Sequence, residues 1–432
     1  MVKRSTALLL VLSALALAGC SQQGPAATAP ERAAARPSHV LQVRVPEGTT
    51  REQLGAAYGA PVLMFDAAEG YAVLGLSAAQ ASGPGLRTLS LAGTPESNLG
   101  AFSAGMTATV QGRAIWLKGD LGSWTAEGRA IWLKGQYSLI PENTLNFQTI
   151  RLEQAHTLAP KLGQGIKVAV IDTGVDLEHP AFAGSLAPAE EWRDFYAGDN
   201  LPDEEGVLGE GGYGHGTGVA GIVLQVAPAA TILPLRVLGP DGSGDVLTVA
   251  QAIDWASAKG AQIINLSLGS AERSAIVQDA IKRATERGAL VVASAGNENR
   301  PAISYPAHDM VSGGAGERSL SVGSVTTGWL KSSFSNYSAN LELVALGENV
   351  YTPGPDGLLV SWSGTSMATP MAAGGLALAL SQGTDVPLKD LTKKMAEKAY
   401  DVYNNGLNAP YKDKLGKKGL LNLEAFLKDV VK

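Results

Sequence analysis

The sequence predicts an α/β fold: a parallel sheet with helices on both faces, preceded by a small α+β N-terminal unit. Three observations carry that expectation. From about residue 150 onward, short apolar runs at 168–171, 263–266 and 290–293 alternate with stretches of helical spacing such as 248–259 and 274–287. The runs lack the polar alternation of a strand with one wet face, so they suit a sheet buried on both sides. The residues with chemical potential fall at the ends of those runs or at helix starts, where an open parallel sheet binds its ligands.

The elements follow in chain order. With 432 residues there is room for two or three domains of about 100–200 residues each. The N-terminus opens with Met1-Val2-Lys3-Arg4 and an apolar stretch at 7–17, too short for a comfortable membrane span, which is the pattern of an export signal. It ends in Leu17-Ala18-Gly19-Cys20, which resembles the bacterial lipobox; that resemblance implies cleavage before Cys20 and its acylation. Cys20 is the sole cysteine, so no internal disulfide competes for it. A plain signal peptide cut nearby is the alternative.

Residues 20–37 are rich in Ala, Pro and Gln and read as a tether. Within 38–91, HVLQVRV, PVLMFDA and GYAVLGL read as strands, and Thr49-x-x-Glu52 reads as a capping box opening a short helix. Residues 92–149 form a connector in which the octamer GRAIWLKG occurs at 112–119 and again, letter for letter, at 128–135. Two copies are too few for a solenoid; packing of Trp116 and Trp132 on a neighbouring surface, or binding of envelope carbohydrate, are the two readings. The remainder, 150–432, is the α/β domain.

Three residues there carry chemistry. Asp172 closes the apolar run KVAVID, where a carboxylate needs a partner. His215 lies in Gly214-His-Gly-Thr-Gly-Val-Ala-Gly221, before the apolar VAGIVLQV. Ser366 lies in Ser363-Gly-Thr-Ser-Met-Ala-Thr-Pro370, at the start of a small-residue helix whose N-terminus favours developing negative charge. Singly, each is as readily a cap or a turn. Together, in the chain order Asp, His, Ser, they match one of the known triad orders.

IDTGVDLEHP, GHGTGVAGI and GTSMATP resemble the signature segments of subtilisin-like serine peptidases, with likeness through nearly all of 150–425. The resemblance implies that Asp172, His215 and Ser366 are the catalytic triad of a serine endopeptidase that forms an acyl-enzyme. It implies that Asn297, in AlaGlyAsnGlu, donates its amide to the oxyanion. Gly242, Ser243 and Gly244, with Ser267, Leu268 and Gly269, would flank an extended peptide substrate, and Ser294, Ala295 and Gly296 would complete the first specificity pocket. The small residues there suggest room for medium or large apolar side chains. The 38–91 unit lies where the family carries a propeptide, and self-cleavage near 137–150 would release a soluble form from its anchor.

The sequence also departs from the family pattern. Gly218 stands where the motif has its second histidine, Leu346 where proline is usual, and Ala181 where many relatives place a calcium-ligating aspartate. The oxygen-rich loop with Asp199, Asp203, Glu204 and Glu205 is a candidate calcium site, a solvated acidic loop being the alternative. The chemistry itself requires no cofactor. His156, His179 and His308 have no part in it, and no spacing suits zinc. A formal charge of -6 argues against nucleic acid as a partner. The expected partners are polypeptide substrates and, through Cys20, a membrane, for a monomeric exported envelope lipoprotein. The competing reading is a catalytically silent lipoprotein that binds peptide or envelope material; an esterase is disfavoured because no Gly-x-Ser-x-Gly elbow surrounds Ser366.

Overall fold

The computed structural model describes residues 36–82, 94–98, 140–207, 211–310 and 317–431, with the backbone of four short strands between 102 and 137. The export signal, Cys20 and the tether as far as residue 35 lie outside the described residues. So do the side chains of Trp116 and Trp132.

The first elements are β1 (His39–Arg44), α1 (Arg51–Tyr58), β2 (Val62–Asp66), β3 (Tyr71–Leu76), α2 (Ala78–Ser82) and β4 (Glu96–Ser97). They build a four-stranded antiparallel sheet in the order β2-β3-β1-β4. Alternation decides the faces: Leu41, Val43, Leu74 and Leu76 bury with Leu54 of α1, whereas Val40 and Val73 join the core of the larger domain. The capping box is shifted by one residue from the sequence expectation. Thr50, not Thr49, is the N-cap: its hydroxyl accepts from Gln53 N at 3.2 Å and Gln53 Oε1 accepts from Thr50 N at 2.9 Å. Both pairs have the required spacing, so only the backbone distinguishes them, and Thr50 is the last extended residue.

Four backbone strands follow: β5 (Phe102–Ser103), β6 (Ile115–Leu117), β7 (Trp132–Leu133) and β8 (Gln136–Tyr137). Each GRAIWLKG copy thus contributes one short strand.

After α3 (Thr144–Thr149) and α4 (Leu152–Leu158) the large domain runs through β9 (Lys167–Asp172), β10 (Arg193–Asp194), α5 (His215–Val226), β11 (Thr231–Arg236) and β12 (Ser243–Gly244). It continues with α6 (Val246–Ala258), β13 (Ile263–Leu266), α7 (Ala275–Glu286), β14 (Leu290–Ser294), β15 (Ser319–Val325) and β16 (Leu343–Leu346). A hairpin of β17 (Val350–Gly354) and β18 (Leu358–Trp362) precedes α8 (Thr365–Gln382), α9 (Leu388–Glu397), β19 (Tyr400–Asp401), β20 (Gly419–Leu420) and α10 (Leu423–Val430).

The central sheet has nine strands in the order β10-β11-β9-β13-β14-β15-β16-β20-β19, parallel except for the antiparallel edge strand β19. Strands β13, β14 and β15 are buried at every residue, as a sheet covered on both faces requires. On it, α5 and α8 pack against each other, and α6 packs against α7. The α/β expectation holds, with the antiparallel edge as an addition. No described helix is long and apolar enough to cross a membrane.

The small sheet rests on the starts and flanks of α6 and α7. Glu96 accepts from Ser274 Oγ at 2.6 Å and Ala275 N at 2.8 Å, satisfying orphan donors of α7; Asn98 Oδ1 accepts from Leu247 N at 3.0 Å in α6. Tyr71 donates to Asp254 at 2.8 Å while Arg283, which also grips Asp254, lies over the Tyr71 ring.

Candidate active site

The sheet brings the chemistry-bearing residues to the carboxyl ends of the neighbouring interior strands β9 and β13. Asp172 is the last residue of β9, His215 the first of α5, and Ser366 lies in the first turn of α8. His215 Nδ1 and Asp172 Oδ1 are 2.7 Å apart, with both side chains 1% exposed. Thr173 N donates to the same Oδ1 at 2.8 Å, a fixed charge-assisted bond on the carboxylate. Gly216 makes the approach of α5 to β9 feasible: a Cβ there would stand 2.1 Å from the Gly174 carbonyl oxygen.

Ser366 is held reciprocally by Ser267, which follows β13. The Ser366 hydroxyl donates to the Ser267 carbonyl at 3.2 Å, and the Ser267 hydroxyl donates to the Ser366 carbonyl at 2.8 Å. Local sequence explains the second bond. Pro370, inside α8, has no N–H to give to the carbonyl four residues earlier, which is that of Ser366, so Ser267 supplies the donor. Asn265 Nδ2 in turn donates to Ser267 Oγ at 3.0 Å.

Asn297 reaches the same helix start. Its Oδ1 accepts from Thr365 N at 2.8 Å and Thr365 Oγ1 at 3.0 Å, which fixes the direction of the amide. A Cβ on Gly364 would come within 3.3 Å of Asn297 Nδ2, so the chain beside that amide is glycine.

Of the flanking segments, Gly242 has φ 78°, and Ser243–Gly244 form β12, which pairs antiparallel with β5: Ser243 faces Ser103 and Gly244 faces Phe102. An extended segment of the chain itself therefore runs along this edge. Ser267, Leu268 and Gly269 follow β13, and Ser294, the last residue of β14, is followed by Ala295 and Gly296. Ser304 backs both walls, since a Cβ at Gly269 or Gly296 would meet its side chain at 2.9 or 2.3 Å.

Gly218 has a physical reason. The edge of Trp362 meets His215 with ring centroids 5.7 Å apart and planes at 86°. A Cβ at Gly218 would stand 3.0 Å from Trp362 Nε1 and 3.1 Å from Thr352 Cγ2. Tryptophan on β18 and glycine on α5 are thus a matched pair. Gly218→His is expected to overpack this contact and destabilise the protein by about 1–3 kcal/mol in chemical denaturation. An unchanged unfolding midpoint would refute the pairing.

The carboxylates of the 199–205 loop each have partners other than a metal ion. Asp199 accepts from Leu201 N at 2.9 Å, Asp203 from Glu204 N at 3.0 Å, and Glu205 pairs with the buried Arg236 at 2.8 Å. Glu204 turns inward to Thr173, Gly214 and Thr217. The four carboxylates diverge because backbone donors and an arginine claim them, and no three potential ligands converge among the described residues. Ala181 is buried in a short 3-10 helix. His156 bonds the Val226 carbonyl at 2.8 Å, and His179 Nδ1 accepts from Ala181 N at 3.0 Å; both belong to packing.

Sequence reasoning missed Trp362, the Asn265–Ser267 link and the inward hydrogen bonds of Glu204. Only Trp362 left a signal, in the glycine that replaces histidine at 218.

Comparison with known proteins places the chain in a family. Residues 163–422 match the model of the subtilase family. The chain is 37% identical over 263 residues to Subtilisin Savinase of Lederbergia lenta, covering 57% of this chain and 89% of that protein. Thermitase of Thermoactinomyces vulgaris is 38% identical over 246 residues, or 55% and 81% of the two chains. Against an alkaline protease of Shouchella clausii the identity is 37% over 263 residues, 63% of that longer protein.

Proposed function

The chain belongs to the subtilase family and is a serine endopeptidase; from that premise we propose that Asp172, His215 and Ser366 carry its reaction. The observation that bears most weight is the 2.7 Å contact of buried His215 and Asp172, at the same carboxyl end of the sheet as the start of α8. In this reading Ser366 Oγ turns from the Ser267 carbonyl, passes its proton to His215 Nε2 and attacks the substrate carbonyl carbon. Asp172 holds the imidazole through Nδ1 and stabilises the imidazolium. The imidazolium then protonates the leaving amine, and water releases the acyl group by the reverse proton path.

Negative charge on the carbonyl oxygen meets Asn297 Nδ2 and the Ser366 N–H, at a helix N-terminus. Asn297→Ala is expected to lower kcat by about 10² to 10³ with little change in KM, the loss that removal of such a donor causes in subtilisin. Equal losses in binding and turnover would instead mark Asn297 as structural.

Substrate lies as an added strand between Gly242–Gly244 and Ser267–Gly269, read mainly through its backbone. Pairing of β5 with β12 supports the readiness of that edge to take an extended chain. Unfolded or flexible polypeptides of broad sequence are the substrates, with Ser294, Ala295 and Gly296 walling the first pocket.

The N-terminal sheet acts as a propeptide in this reading, supported by Glu96 and Asn98 at the helix starts and by β5 along the cleft. Self-cleavage near 137–150 separates a soluble peptidase from a precursor anchored through acylated Cys20 in the cell envelope. The peptidase works as a monomer. No cofactor enters the chemistry, and a structural calcium in the 199–205 loop would require Glu204 and Glu205 to leave their present partners. No observation favours the silent binding reading.

A further inference from the structure

Glu204 joins three parts of the structure that meet at the Asp172–His215 pair. Its Oε1 accepts from Thr173 Oγ1 at 3.0 Å, Thr217 N at 3.0 Å and Thr217 Oγ1 at 3.1 Å; its Oε2 accepts from Gly214 N at 3.0 Å. Thr173 is the residue after Asp172, and its hydroxyl also accepts from Gly216 N at 2.9 Å. Gly214 and Thr217 bracket His215. The loop carrying Glu204 is tied down in turn, because Val175 N donates to the Pro202 carbonyl at 2.9 Å and Leu177 N to Asp203 at 3.2 Å. One carboxylate thus satisfies two orphan N–H groups at the start of α5 and a hydroxyl at the end of β9.

We propose that Glu204 is a positioning residue for the peptidase reaction: it clamps the first turn of α5 to the end of β9 and so fixes His215 against Asp172. The inference rests on the triad reading above. Glu204 touches neither nucleophile nor substrate and acts through His215.

Its second contribution is charge. Burial pushes the Glu204 carboxyl up to about 6, against the lowering effect of its hydrogen bonds from Gly214 and Thr217. The charged and titratable groups facing it are Asp172 at the end of β9, Tyr213 and His215 at the start of α5, Arg236 on β11, and Asp203 and Glu205 on its own loop. Above about pH 6 the ionised form accepts all four hydrogen bonds and places a negative charge behind Asp172, favouring the imidazolium formed during reaction. As pH falls through that value, one acceptor is lost to the added proton and the clamp on Gly214 or Thr217 loosens. Protonation of Glu204 therefore lowers activity as pH falls through about 6.

The test is the pH dependence of kcat/KM for wild type, Glu204→Gln and Glu204→Asp on a soluble peptide substrate. Rates are normalised to competent sites counted by stoichiometric phosphonylation of Ser366 with a fluorophosphonate, in which the serine oxygen displaces fluoride from phosphorus. For wild type, the acid limb of log kcat/KM should be steeper than one and approach two. Glu204→Gln, which turns a donor toward Gly214 N, should lower kcat about 10- to 100-fold, leave KM within about twofold and reduce the limb to a slope of one. Glu204→Asp keeps the charge with a shorter reach, so it should retain the steep limb at a reduced kcat.

A purely structural Glu204 would lower the count of competent sites without altering the limb of those that remain. A wild-type limb of slope one, or Glu204→Gln with unchanged kcat per site, overturns the proposal, and the wild-type measurement stands even if both variants fail to fold. If wild type itself neither cleaves the peptide nor reacts with the fluorophosphonate, the triad reading has failed instead.

Discussion

Purified Ser366→Ala is expected to hydrolyse unfolded casein more slowly than wild type by about 10⁶, the scale on which loss of the nucleophile acts in subtilisin. The residue is 2% exposed and its hydroxyl is the group exchanged between Ser267 and the proposed path to His215, so alanine removes the reacting atom with little change in packing. Melting temperatures of the two proteins should agree closely. The same pair reports on maturation: wild type should yield a soluble product of roughly residues 150–432, with its N-terminus set by sequencing. The alanine variant should keep residues 20–432 uncut and, on the proposed acylation of Cys20, partition into detergent. Casein hydrolysis at wild-type rate by the variant would refute the triad; an unprocessed wild type, or a variant confined to the aqueous phase, would refute propeptide or anchor separately.

Asp172→Asn is expected to lower kcat by about 10⁴ at neutral pH with KM nearly unchanged, the loss seen when the triad carboxylate of a trypsin-like enzyme becomes an amide. Asp172 Oδ1 sits 2.7 Å from His215 Nδ1 and also accepts from Thr173 N. Asparagine removes the negative charge and, when its amide nitrogen takes the Oδ1 position, points hydrogens at the imidazole Nδ1 at the expense of the Thr173 N bond. The ring then keeps its proton on Nε2 and can no longer take one from Ser366. Steady-state kinetics at pH 7 to 8 decide the matter; a loss below tenfold would mean that Asp172 only packs against the ring.

What the sequence made legible was local. Apolar runs such as IINL and LVVAS announce a doubly covered sheet because burial on both faces leaves no polar alternation. The triad segments read clearly because each needs small residues next to the reacting group: Gly216 to pass Gly174, Gly364 beside Asn297, and Pro370 to release the Ser366 carbonyl. What stayed hidden depends on partners distant in the chain. Glu204 looked like one of four equivalent acids until the fold brought Gly214 and Thr217 to it and Arg236 to Glu205. Trp362 is 147 residues from His215, and its contact is visible beforehand only as an unexplained glycine. The one-residue shift of the capping box arose because two overlapping pairs satisfied the same spacing.

The bond between Ser267 and Ser366 has a bearing on how preference could diversify in this enzyme. Ser267 both walls the proposed pocket and replaces the donor that Pro370 removes from Ser366. A substitution that widened the pocket at Ser267 would leave a buried carbonyl unsatisfied directly at the nucleophile, so selectivity and turnover would drift together. Ser294 directs its hydroxyl to the Leu268 carbonyl at 3.4 Å. Variation at Ser294 could reshape the same pocket while sparing the reacting centre. Redesign of preference therefore has an open route through the β14 wall and a constrained one through the residues after β13.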